Sequence, residues 1–110
     1  MSHPVKAFQQ ALERQAAVKV AKITLDPKVI AQISRMTHGN SISESYVRGA
    51  EAIGAKRLAE KFKLIVKLVE LEGHRPRGLG EYQYELYQEM LKQAEHVLDE
   101  ASYQDFYQAF

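Results

Sequence analysis

One strand-like segment followed only by helical patterns constrains this 110-residue chain more than any other feature. Val18 to Leu25 is rich in β-branched residues. It ends in apolar/polar alternation at Ala21, Lys22, Ile23, Thr24 and Leu25. A lone strand leaves a row of backbone donors and acceptors unpaired, so it needs a second edge. If two chains pair this segment, they form a two-stranded antiparallel ribbon on an intertwined helical core. Ala21, Ile23 and Leu25 then face the core, and Val20, Lys22 and Thr24 face outward. The competing expectation lets the first helix run on to Lys22. Ala16 and Ala17 favour that; Val18, Val20, Ile23 and Thr24 oppose it.

The other elements follow from periodicity and punctuation. Pro4 with Phe8, Ala11, Leu12 and Gln15 marks a short helix or an arm over roughly 4–16. Asp26-Pro27 starts a helix, with Asp as N-cap and Pro in the first turn. Val29, Ile30, Ile33 and Met36 give it one apolar face, and Gly39-Asn40 ends it. Ser41 or Ser43 caps the next helix. Its stripe runs through Tyr46, Ala50, Ile53, Phe62, Ile65 and Val69, with Gly49 and Gly54 as weak points. Unbroken from Ser43 to Glu72 it would be roughly 45 Å long. Gly73 to Gly80 is a loop, and a further helix runs to about Glu100. Ser102 and Asp105 cap a last short helix from Tyr103 to Phe110. The expected division is an arm over 1–17, a binding domain over 18–54 and a helical extension over 55–110.

Net charge is only +1, but its distribution is uneven. Residues 1–67 hold 12 Lys/Arg and five acids; residues 68–110 hold three Lys/Arg and nine acids. A half with net +7 suits a polyanion and a half with net −6 does not.

Ile23-Thr24-Leu25, then Val29, Ile30, Ile33 and Met36, then Ile42-Ser43-Glu44-Ser45, resemble the ribbon-helix-helix repressors of the Arc/MetJ/CopG superfamily. The match covers about 30 residues. The resemblance implies a mainly α fold: a ribbon-helix-helix dimer with one short strand per chain, here followed by a C-terminal helical hairpin. It implies sequence-preferring binding of double-stranded DNA, with the ribbon in the major groove. Val20, Lys22 and Thr24 become base-contacting residues, and Ser43, Glu44 and Ser45 form a phosphate clamp at a helix N-terminus. Lys19, Arg35, Ser43, Ser45 and Arg48 would contact phosphates, with His38 nearby and Lys56, Arg57, Lys61 and Lys63 further along. Two departures stand out: Glu44 is an acid beside a phosphate, and Val20 is apolar where a polar reader is usual. On this reading Lys22→Ala weakens DNA binding.

Residues 55–110 exceed the minimal family domain. Their broad apolar face implies self-association, as a homodimer or a dimer of dimers, or a protein partner at the C-terminal helices. The layout resembles TraM-type conjugation accessory proteins, without a shared motif in the tail. Tyr82, Tyr84 and Tyr87 sit among Glu81, Glu85 and Glu89, so they are expected to pack rather than to stack on bases. Tyr103, Phe106, Tyr107 and Phe110 belong to a terminal helix folded back on the hairpin, or to a docking element. The four histidines have no metal-ligand spacing. No phosphate loop or nucleophile motif appears, so neither a catalytic residue, nor a metal, nor a cofactor, nor an enzymatic activity is expected. The absence of cysteine, of a signal-like run and of a membrane-length apolar stretch makes a soluble cytoplasmic protein the expectation. Two alternatives remain open: an antitoxin with the same DNA-binding head, and an all-helical interaction module without DNA binding.

Overall fold

The structure, a computed structural model, describes residues 22–110. Among them are five helices: α1 Pro27–His38, α2 Ile42–Ala52, α3 Lys56–Glu72, α4 Leu79–Val97 and α5 Glu100–Ala109. The mainly α expectation holds. Calls on Lys19, Val20, Ala21 and the segment 4–16 lie outside the described residues.

The start of α1 follows the sequence closely. Asp26 is the N-cap, its carboxylate accepting from the Lys28 N–H at 2.9 Å, and Pro27 occupies the first turn. Ile33 is fully buried, while Val29 and Ile30 pack against the core. A turn at Gly39–Ser41 leads into α2. The stretch from Ser43 to Glu72 is not one helix. Gly54 adopts φ +76°, a left-handed conformation that glycine takes without steric cost, and Ile53–Ala55 turns the chain between α2 and α3. The turn lets α3 fold back and bury Leu58, Phe62 and Ile65. Gly49 has a different role. A Cβ there would lie 2.6 Å from the Phe110 ring and 3.4 Å from both the Met90 sulfur and the Phe106 ring, so its bare backbone admits the C-terminal aromatics.

These contacts build one aromatic chain. Tyr46 stacks on Phe62 at 5.5 Å and on Phe110 at 5.6 Å; Phe110 meets Phe106 edge-on at 5.1 Å. Tyr87 closes on Tyr46 and Phe110 at 5.4 and 5.7 Å, and burial together with neighbouring tyrosines pushes its phenol above the ordinary value of 10.0. Tyr82 and Tyr84 stay exposed. The terminal helix therefore folds back, with Phe106 fully buried and α5 packed on α1 and α4. Helix α4 stops at Val97, short of Glu100, and the cap of α5 is Asp99 rather than Ser102.

The ribbon expectation is corrected here. Among the described residues there is no strand; Ile23 makes only an isolated parallel bridge to Leu98 of the same chain. The Ile23 N–H donates to Val97 O at 2.8 Å, and the Asp99 N–H donates to Ile23 O at 3.0 Å. The Leu25 N–H donates to the Ser102 hydroxyl at 3.0 Å. The physical reason is local. The break between α4 and α5 leaves extended backbone at Leu98–Asp99, and this gives the segment the pairing edge that the sequence appeared to lack. The resemblance to the ribbon-helix-helix family falls with the ribbon.

Asp99 couples this junction to pH. Its carboxylate accepts from the Thr24 hydroxyl and from the Ser102 N–H, the latter at 2.7 Å. The Thr24 bond, then the Ser102 bonds, hold its pKa below the ordinary value of 3.8. The stabilisation is complete above that value and is lost as pH falls through the lower native one. A side-chain carboxyl NMR titration of Asp99 should give a midpoint below 3.8, and Thr24→Val should move it upward. A midpoint unmoved by the substitution would remove the Thr24 link.

Candidate nucleic-acid interface

The outward strand positions do not form a free surface. The Lys22 ammonium donates to Glu95 O at 3.1 Å and to His96 O at 2.6 Å, carbonyls in the last turn of α4. A cation there meets the negative end of the helix dipole. Thr24 is tied to Asp99. Both base-contacting candidates within the described residues are thus committed to the α4–α5 junction.

The phosphate-contact candidates scatter. Ser45 is fully buried, and its hydroxyl donates to Ile42 O one turn back in α2. Ser43 lies 3.4 Å from both an Arg75 guanidinium nitrogen and the Gln83 amide nitrogen, and Arg75 also donates to the Gln83 side-chain oxygen. Ser41 caps α2 without a side-chain hydrogen bond, and Ser41–Glu44 line a cleft of about 460 Å³ together with Val66, Val69 and Glu70. Glu44 and Glu70 place carboxylates in that cleft, which opposes a phosphate. Arg35 is exposed in the last turn of α1. Arg48 donates through Nε to the Gln32 side-chain oxygen at 2.9 Å, bridging α1 and α2.

A different basic surface emerges on α3. Lys56, Lys63 and Lys67 are exposed and recur at spacings of seven and four, which places them along one side of the helix. From Lys56 to Lys67 is roughly 16 Å along the axis, comparable to about five base pairs of duplex at 3.4 Å each. Lys63 and Arg48 line a common hollow with Met36, Val47 and Glu51, which extends the line onto α2. The Lys63 ammonium lies 3.5 Å from the Glu60 carboxylate, but both side chains are exposed, so the pair is weak and water-screened. The arrangement is a row of hydrated cations on long stems, suited to phosphate contact rather than to base reading.

Helices α4 and α5 are opposite in sign. Glu81, Glu85, Glu89, Glu95, Glu100 and Asp105 are exposed on α4 and α5, where Lys92 is the single Lys or Arg. Among the described residues no cluster of His, Cys, Asp and Glu could hold a metal ion, and no helix is long and apolar enough to cross a membrane. Lys56 and Lys63 are among the flanking phosphate contacts expected from the sequence, and the 7/4 spacing adds Lys67 to them. Comparison with protein-family models, curated proteins and solved structures found no match.

Proposed function

We propose that the chain binds double-stranded DNA through a helical face, with Lys56, Lys63 and Lys67 of α3 and Arg48 of α2 contacting phosphates. The observation that carries this reading is a bias of charge between folded elements: α3 carries five Lys/Arg against Glu60, Glu70 and Glu72, whereas α4 and α5 carry Lys92 against six exposed acids. Such a bias steers a polyanion toward α3. The ribbon route has no part in it. Cations on flexible stems contribute affinity with little sequence preference. On this reading the protein is a DNA-binding regulator. A helical interaction module without DNA binding is the second reading, favoured by the exposed leucines of α3.

The test is a fluorescence-anisotropy titration against the duplex upstream of its own gene and against a random duplex, at several salt concentrations. The expected result is similar affinity for both. About four phosphate contacts give a log–log salt slope of about −3.6. Absence of salt-dependent binding at low ionic strength would leave the second reading.

A further inference from the structure

We propose that residues 4–19 of the chain form a helix that docks in a groove between α4 and α5, with its apolar face on Tyr87, Leu91 and Tyr107 and with Lys19 at Glu95 and Glu100. Two lines of side chains build the groove. On α4, Tyr87, Leu91 and Glu95 recur every four residues and lie along one side. On α5, Glu100, Tyr103 and Tyr107 lie along one side at 3/4 spacing. The two lines run beside each other. Glu95, Glu100 and Tyr103 share a hollow of about 360 Å³ at the α4–α5 junction. At the other end, besides burial and Tyr46, the nearby phenols of Tyr107 and Tyr103 raise the Tyr87 pKa. Each line therefore has an acid beside the junction and an aromatic ring away from it. Tyr107 is 52% exposed, and Glu95 and Glu100 are exposed. The groove uses no residue of the α3 lysine row, so the inference stands independently of DNA binding.

The tether identifies the occupant. Lys22 lines the junction end of the groove, and its ammonium donates to the Glu95 and His96 carbonyls. The pairing of Ile23 with Leu98 is parallel, so continuing it backwards from Lys22 leads along α4 rather than away from it. In the preceding sequence Val5, Phe8, Leu12 and Ala16 share one helical face at 3/4/4 spacing, and Lys19 continues that face. Three residues of chain hold Lys19 within about 10 Å of Lys22, which brings its cation to Glu95 and Glu100. Leu12 lies about 10 Å from Lys19 along a helix and Tyr87 about 12 Å from Glu95 along α4, so the two come level. Cation meets carboxylates at one end, and apolar side chains meet aromatic rings at the other. Lys6, Glu13 and Arg14 fall on the outer side of such a helix, in water.

Two measurements on the full chain test this. An isolated helix of this length is marginal in water, so protection of its amides reports docking. Hydrogen exchange across residues 8–16 should be slowed about 10-fold or more, and Phe8→Asp combined with Leu12→Asp should abolish the protection while α1–α5 keep theirs. Tyr107→Asp, at an exposed position on the other side of the contact, should do the same. The chain has no cysteine, so Gln10→Cys takes a single spin label. That label should broaden the amide resonances of Leu91, Tyr103 and Tyr107 and spare those of Leu64 and Leu71. The broadening should vanish when the label sits on one chain and the isotope on another. Unprotected amides at 8–16, or protection indifferent to the substitutions on both sides, would overturn the proposal. So would broadening centred on α3, or broadening that appears only between chains and so assigns the groove to a second copy.

Discussion

Phe62→Ala should destabilise the fold by about 3–5 kcal/mol, the range for truncating a buried large aromatic. Phe62 is fully buried in the middle of α3 and stacks on Tyr46, which carries the contact on to Phe110 and Tyr87. The substitution removes apolar area, leaves a cavity and frees the Tyr46 ring. These helices and the C-terminal residues share one core, so the site cannot collapse without moving several elements. For a domain of this size the loss amounts to about 12–25 °C in Tm, against a total stability of about 5–15 kcal/mol. Urea unfolding followed by circular dichroism measures it. Tyr84→Ala, at an exposed position, should cost under about 0.5 kcal/mol. A Phe62→Ala loss of similar size would mean that the aromatic chain does not hold α2, α3 and the C-terminus together.

The second large effect falls on binding. Replacing Lys56, Lys63 and Lys67 together by alanine should remove about three phosphate contacts and reduce the salt slope by about 2.7. At low salt the affinity should fall by about 10²–10³-fold, taking about 1 kcal/mol for each exposed contact and allowing for the lost field. Because the three side chains are exposed, alanine also favours the helix slightly, and unfolding midpoints should not drop. A variant that binds less yet unfolds no earlier separates charge from structure.

Local signals in the sequence were legible where they were self-contained. Asp26-Pro27 started α1 and Gly39 ended it because capping chemistry acts within one turn. Gly54 was visible as a weak point, but not that its φ of +76° turns the chain. The strand expected at 22–25 is absent; the segment makes only the isolated bridge of Ile23 to Leu98. Its edge lies more than 70 residues away, at Leu98–Asp99, and depends on α4 stopping at Val97. No periodicity reveals that stop, because Ala94, Leu98 and Ala101 continue a helical stripe across it. Polarity misled for the same reason. Lys22 and Thr24 look like outward readers, yet each finds a fixed partner, Lys22 at exposed carbonyls of α4 and Thr24 at the carboxylate that caps α5. The lysine row on α3 was present as spacing, but spacing acquires meaning only once the burial of Leu58, Phe62 and Ile65 shows which side faces water.

The account turns on which surface meets the duplex, and a paired anisotropy titration tests that directly. Lys22→Ala and the Lys56/Lys63/Lys67 alanine variant are titrated with the same duplex at the same low salt. The expected result is near wild-type affinity for Lys22→Ala and a loss of two to three orders of magnitude for the triple variant. Loss of binding in Lys22→Ala, with the triple variant unaffected, would contradict the helical face and return the interface to the segment before α1.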